Sequence, residues 1–124
     1  LRLLPAIMRK PQSERFILKD FLGHPFLGSA LVADFGSGSR SFALFVLINP
    51  DPATAKAQLQ RWAALDKTRA GAPVEGDEAT LQDPYNGRVQ LLRRGPYLAG
   101  ALDPDDASWA AFRAELLELL PESL

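Results

Sequence analysis

At 124 residues, with 47% hydrophobic and 23% charged side chains, the chain is long enough for one domain with its own core and is not a disordered polymer. A net charge of −1 and a pI near 5.8 exclude a general nucleic-acid binder, which needs a concentrated basic surface to neutralise phosphates. The absence of cysteine excludes disulfides, thiolate metal sites and cysteine nucleophiles, and no apolar run approaches the ~20 residues needed to span a bilayer.

Residues 1–26 read as an N-terminal arm and loop. Basic and apolar residues mix around Pro5 and Pro11, "RFILKD" (15–20) predicts a short strand, and "FLGHPFLG" (21–28) predicts irregular backbone. A first β–β–α unit follows over 27–66. "SALVADF" (29–35) and "RSFALFVLI" (40–48) flank the flexible "GSGS" (36–39) and form a predicted hairpin. The second of these strands is apolar on both faces, which suggests a central strand covered on each side or an interface strand. Asn49 is expected to cap a helix over 50–65 with Pro50 at its first position, and Ala55, Leu59 and Trp62 form its apolar stripe.

Residues 66–77 read as a polar linker, and a second β–β–α unit spans 78–120. "EATLQD" (78–83) and "RVQLLRR" (88–94) meet across "PYNG", with Asn86-Gly87 as the hairpin signal, and "YLAGAL" (97–102) supplies a further strand. Asp103 and Pro104 repeat the cap and proline before a helix striped by Trp109, Phe112, Leu116 and Leu119, which Pro121 ends. Residue n and residue n+54 echo one another through strand, cap and helix, as at Leu44/Leu98, Pro50/Pro104, Asp51/Asp105 and Thr54/Ser108. Duplication and the independent use of good capping chemistry both account for this echo.

The fold expected is one α+β domain over residues 1–124. It is two-layered, with a mainly antiparallel sheet and both helices packed on one face, and with Trp62 and Trp109 between sheet and helices.

The segments "FALFVLINPDPATA" and "RRGPYLAGALDPDDASWAAF" resemble the pattern of a family of uncharacterised bacterial exported or lipoprotein-type proteins, over roughly 27–121. The resemblance implies paired β–β–α units and a periplasmic or membrane-anchored extracytoplasmic setting, and it carries no catalytic residues. A chain that opens at Leu1 rather than methionine is expected to have lost its natural start, and any signal peptide or lipid anchor with it.

Residue chemistry points the same way. His24 is the only histidine. Ser29, Ser37, Ser39 and Ser41, with Asp20 and Asp34, make a Ser–His–Asp grouping composable, but no nucleophile-elbow sequence supports it, so His24 reads as a structural or solvated residue. "GSGS" precedes a strand and lacks the lysine of a phosphate loop. Asp105-Asp106 and the run of Glu75, Asp77 and Glu78 are each able to bind calcium loosely, with complement to a helix dipole the preferred reading of the first pair, and Arg93-Arg94-Gly95 reads as either an anion site or a basic turn. Five cations against two acids in residues 1–20, and six acids against Arg113 alone in 103–124, read as solvated faces.

No residue set here asks for a cofactor or metal. The expectation is a non-enzymatic structural or interaction domain of the bacterial cell envelope with an unidentified protein partner. The alternative is a small apolar-ligand domain with a pocket near Trp62, Trp109 and Tyr97, and a hydrolase using His24 ranks third.

Overall fold

A computed structural model of the chain describes residues 13–37, 40–69, 74, 76–84 and 86–121. The expectations placed on residues 1–12, Ser39 and Glu75 lie outside them. Six strands make one antiparallel sheet: β1 (Arg15–Ile17), β2 (Ala30–Ser37), β3 (Arg40–Ile48), β4 (Glu78–Asp83), β5 (Gly87–Arg94) and β6 (Tyr97–Leu102). Their spatial order is β1-β2-β3-β6-β5-β4. Helix α1 (Pro52–Ala63) connects β3 to β4, and helix α2 (Asp106–Leu119) follows β6. The class is α+β, as the sequence predicts.

The layering differs from expectation. Side chains alternate along a strand, so β3 sends Phe42, Leu44 and Val46 to one face and Phe45 and Leu47 to the other. β6 divides likewise, with Tyr97, Ala99 and Ala101 on the first face and Leu98 on the second. Trp109, Phe112, Leu116 and Leu120 cover the first face; Leu59, Trp62 and Ala63 cover the second. The Phe112 ring lies 5.1 Å from Phe35 and 5.6 Å from Phe42, while Trp62 lies 5.4 Å from Phe45. The two helices therefore pack on opposite faces, and the molecule has three layers rather than two.

The cause is the two-sided apolarity of the central strands. Full burial of a Leu, Val or Phe side chain is worth about 1.5–3 kcal/mol, so helices stacked on one face would leave Phe42, Leu44 and Val46 in water.

Opposite placement also means that the two β–β–α units are not copies related by rotation. Exchanging antiparallel β3 and β6 needs an axis perpendicular to the sheet, and such an axis leaves each face where it is. Rotated copies would carry both helices on one face.

The helix starts shift by two residues. Asp51, not Asn49, caps α1: its carboxylate accepts the Thr54 N–H at 2.7 Å, and Pro52 takes the first helical position. Asp105, not Asp103, caps α2 by accepting the Ser108 N–H at 2.8 Å. A residue before proline is pushed out of the helical region, and Asp51 precedes Pro52, so a helix cannot run through it from Pro50. Its extended backbone (φ −155°, ψ 163°) is that of a cap.

Asn49 is buried instead. Its Nδ2 donates to Gln58 Oε1 at 2.8 Å and to the Pro96 carbonyl at 3.1 Å, tying α1 to the β5–β6 turn. Asp103 takes a left-handed φ of 54° and donates its N–H to the Arg88 carbonyl at 2.7 Å.

The β4–β5 hairpin closes at Asp83 opposite Gly87. Its turn is thus three residues long, ending on a glycine at φ 79°, a conformation that glycine adopts without strain. At Gly100 on β6, a Cβ would lie 2.1 Å from the Gln90 carbonyl oxygen and 2.8 Å from Phe45 Cζ. Only glycine lets the Phe45 ring lie across β6 beneath α1.

The segment before β2 does more than serve as a loop. Phe21 and Leu27 join the core under α1, with the Phe21 ring 4.9 Å from Phe45.

Candidate functional site

His24 lies between these two core residues and is itself buried. Its Nε2 is 3.1 Å from Oδ2 of Asp83, the last residue of β4. The Trp62 indole N–H donates to the same oxygen at 2.7 Å. The backbone N–H and the side-chain amide of Asn86 each donate to Asp83 Oδ1 at 3.0 Å. His24 also stacks on Phe26, with ring centroids 5.3 Å apart. A carboxylate has about four acceptor sites, and these contacts fill them, so Asp83 locks the first loop, α1 and the β4–β5 turn together.

Of the serines and acids grouped with His24 by sequence, Ser29, Ser41, Asp20 and Asp34 go elsewhere. Ser29 donates its hydroxyl to the Leu18 carbonyl at 2.8 Å, and Ser41 is exposed on β3. Asp20 is exposed with a left-handed φ of 52°, and Asp34 faces Arg15 at 3.5 Å. None of these four meets the imidazole; the side chain of Ser37, like Ser39, lies outside what the structure describes, and the carboxylate that does meet the imidazole, Asp83, has no motif around it that marks it as such. An Asp that opens a Pro-x-Asn-Gly turn reads as turn chemistry, which is half of what Asp83 does. A second buried acid, Asp66, accepts the Thr68 N–H at 2.9 Å and the Gln82 N–H at 2.9 Å. This occupies an amide of edge strand β4 that would otherwise face outward.

The remaining charged candidates are committed to the fold. Arg93 donates to Asp77 at 2.9 Å and to the Gly95 carbonyl at 2.9 Å, and Arg94 donates to the Leu120 carbonyl at 2.7 Å. That favours the basic-turn reading over the anion site. Asp106 accepts from Arg88 at 2.8 Å. Glu78 accepts from Arg113 of α2 at 2.6 Å, and this donation holds its carboxyl below the usual glutamate range.

The pocket expected near Trp62, Trp109 and Tyr97 does not form as one site. Trp62 belongs to the α1 face, while Trp109 and Tyr97 belong to the α2 face, with the sheet between them.

Two other features of the α2 face are open to solvent. Along the β1 flank, Phe16, Leu18 and Ile48 are the large apolar side chains left exposed among the described residues, at 52%, 78% and 38%. Phe16 pairs with Leu31, which pairs with Val46, so Phe16 lies on the α2 face, as does Ile48 two residues beyond Val46 on β3; Leu18 follows the end of β1. Along the β4 flank, a cleft of about 360 Å³ separates α2 from the strand edge.

Among the described residues no helix is long and apolar enough to cross a membrane. Comparison of the chain with protein-family models, characterised proteins and solved structures finds no match.

Proposed function

We propose that the protein is a non-enzymatic interaction domain that engages a protein partner through the β1 flank of the α2 face. One observation carries this reading: Phe16 on the three-residue edge strand β1 and Leu18 just after it are exposed, as is Ile48 at the end of β3, two strands in. An edge strand offers unpaired backbone N–H and C=O groups to an extended segment of another chain, and apolar side chains next to it supply affinity. Exposed apolar groups gathered at one site mark interaction surfaces, whereas isolated ones do not. The Asp83 carboxylate, filled by donors from Trp62 and Asn86 beside His24, and with no hydroxyl hydrogen-bonded to the His24 ring among the described residues, supports a structural role for that cluster over hydrolysis. The bacterial envelope setting belongs to the same proposal and rests on the resemblance of residues 42–55 and 93–112.

A photo-crosslinking side chain placed at position 16, 18 or 48 in cells tests the reading, with exposed Lys67 as the control position. Protein-sized adducts should form at the three flank positions and be lost when Phe16→Asp is combined with the probe at position 48. Equal adducts at position 67, or none at the flank, would remove the proposal.

A further inference from the structure

The β4 flank of the α2 face carries a different chemistry. The cleft there is lined by Glu78, Ala79, Thr80, Gln90, Leu91 and Trp109. Gln90 is only 9% exposed, and the Thr80 hydroxyl donates to its Oε1 at 2.6 Å. Among the described residues nothing accepts from its NH2 group. A half-turn of the amide would exchange its two ends and still leave one of them unpaired. Trp109, also 9% exposed, likewise has no acceptor for its indole N–H among the described residues. The side-chain nitrogen sealed from solvent without a partner among the described residues is Arg88 Nε, so neither of these two groups is closed off from water.

Both residues line the cleft and are nine-tenths buried, so the cleft offers a ligand two donors that no described residue uses. From this we infer that the cleft binds a small neutral planar ring bearing an amide, as in an aromatic carboxamide or a lactam. Its carbonyl would accept from the Gln90 NH2 or the Trp109 N–H, and its own N–H would donate to the second lone pair of the Gln90 carbonyl. Two observations set the class. Glu78 and Arg113 neutralise one another at the rim, so a charged ligand would have to compete with an existing ion pair. The volume lies at the low end of the range for small-molecule sites, which limits the ligand to about one ring and one substituent.

Nicotinamide and benzamide are suitable probes, with benzoate and benzylamine as charged counterparts of the same size. In ¹H–¹⁵N spectra the protein gives two indole N–H signals, which Trp109→Phe assigns. On titration into the millimolar range, the Trp109 indole and the Gln90 amide pair should shift saturably. The Trp62 indole, held by Asp83, should stay in place, and the charged analogues should give no saturable shift. Gln90→Leu keeps the side-chain volume and should weaken benzamide binding about tenfold, the loss of one good hydrogen bond. Should Gln90→Leu disturb the fold, Thr80→Val, which releases the anchor of the amide, should weaken binding less but measurably. Absence of a saturable shift, equal movement of both indoles, equal binding of benzoate, or full affinity in a folded Gln90→Leu protein would each overturn the inference.

Discussion

Under α1 the sheet is covered from β1 to β4. The helix buries Val89, Leu91 and Leu81, the turn around Phe21 and Leu27 buries Val32 and part of β3, and Ile17 packs at the margin. Among the described residues the buried polar side chains of that layer, His24, Asn49, Gln58 and Asp83, are hydrogen-bonded, most densely around Asp83. Under α2 only the middle of the sheet is covered. One helix seals Phe35, Phe42, Leu44 and Val46, while the β1 flank keeps exposed apolar side chains and the β4 flank keeps unpaired polar ones. The comparison teaches where function is to be sought: a layer whose buried polar side chains are tied to one another holds the fold together, and a layer finished only in the centre has surface to offer.

Truncation of the two tryptophans should break the symmetry of the two faces most visibly. Replacing a buried Trp by Ala costs roughly 3–5 kcal/mol. Trp62→Ala should fall at the top of that range, because it also strips a donor from the sealed Asp83 carboxylate. Trp109→Ala should fall at the bottom, because its indole N–H gives up no protein partner and the adjoining cleft admits water. Urea midpoints converted with a common slope measure the gap, and equal losses would mean that the α2 face is as tightly closed as the α1 face. Asp83→Asn sharpens the point: it keeps the shape but turns an N–H donor toward Trp62, His24 or Asn86, at a cost of about 1–3 kcal/mol.

A smaller contrast separates Asn49 from the two caps. Asn49→Ala leaves Gln58 Oε1 and the Pro96 carbonyl short of a buried donor and should cost about 1–3 kcal/mol. Asp105→Ala removes a half-exposed cap and should cost about 1 kcal/mol, and Asp51→Ala, which removes a fully exposed one, should cost less than Asn49→Ala. Thermal melts of the three variants check the order. Asn49→Ala melting closer to wild type than the two cap variants would mean that the tie between α1 and the β5–β6 turn contributes little.

Much of this was legible in the sequence. The run "FALFVLI" announces a strand buried on both faces, and the +54 echo pairs Asp51 with Asp105 and Thr54 with Ser108, the very residues that cap the helices. The cap position itself was legible from Asp51-Pro52, because the constraint on a residue before proline is local. The side each helix takes was not, since it depends on how the chain crosses the sheet rather than on any stripe. Neither polar cluster announces itself. His24 and Trp62 lie 59 and 21 residues from Asp83, and Gln90 reads as an ordinary polar strand residue until pairing sets it beside Thr80 and α2 folds back over both.

The smallest expected effect concerns the ion pair at the rim of the open flank. Arg113 donates to Glu78 and lowers its pKa below the ordinary value of 4.5. A carboxylate whose folded pKa is depressed contributes stability that is present above its unfolded pKa and is lost as pH falls through the folded value. The contribution should therefore be complete at neutral pH and disappear below about pH 4, the ordinary range for glutamate. Both side chains are close to half exposed, so solvent screening holds the contribution under about 1 kcal/mol. Arg113→Ala should lower the urea midpoint slightly at neutral pH, and the difference from wild type should close as the melts are repeated toward pH 3. Added salt should shrink the neutral-pH difference in the same way. A difference that stayed constant with both pH and salt would mean that Arg113 acts through the packing of its aliphatic stem, and that this rim of the α2 face is closed by apolar contact as the α1 face is.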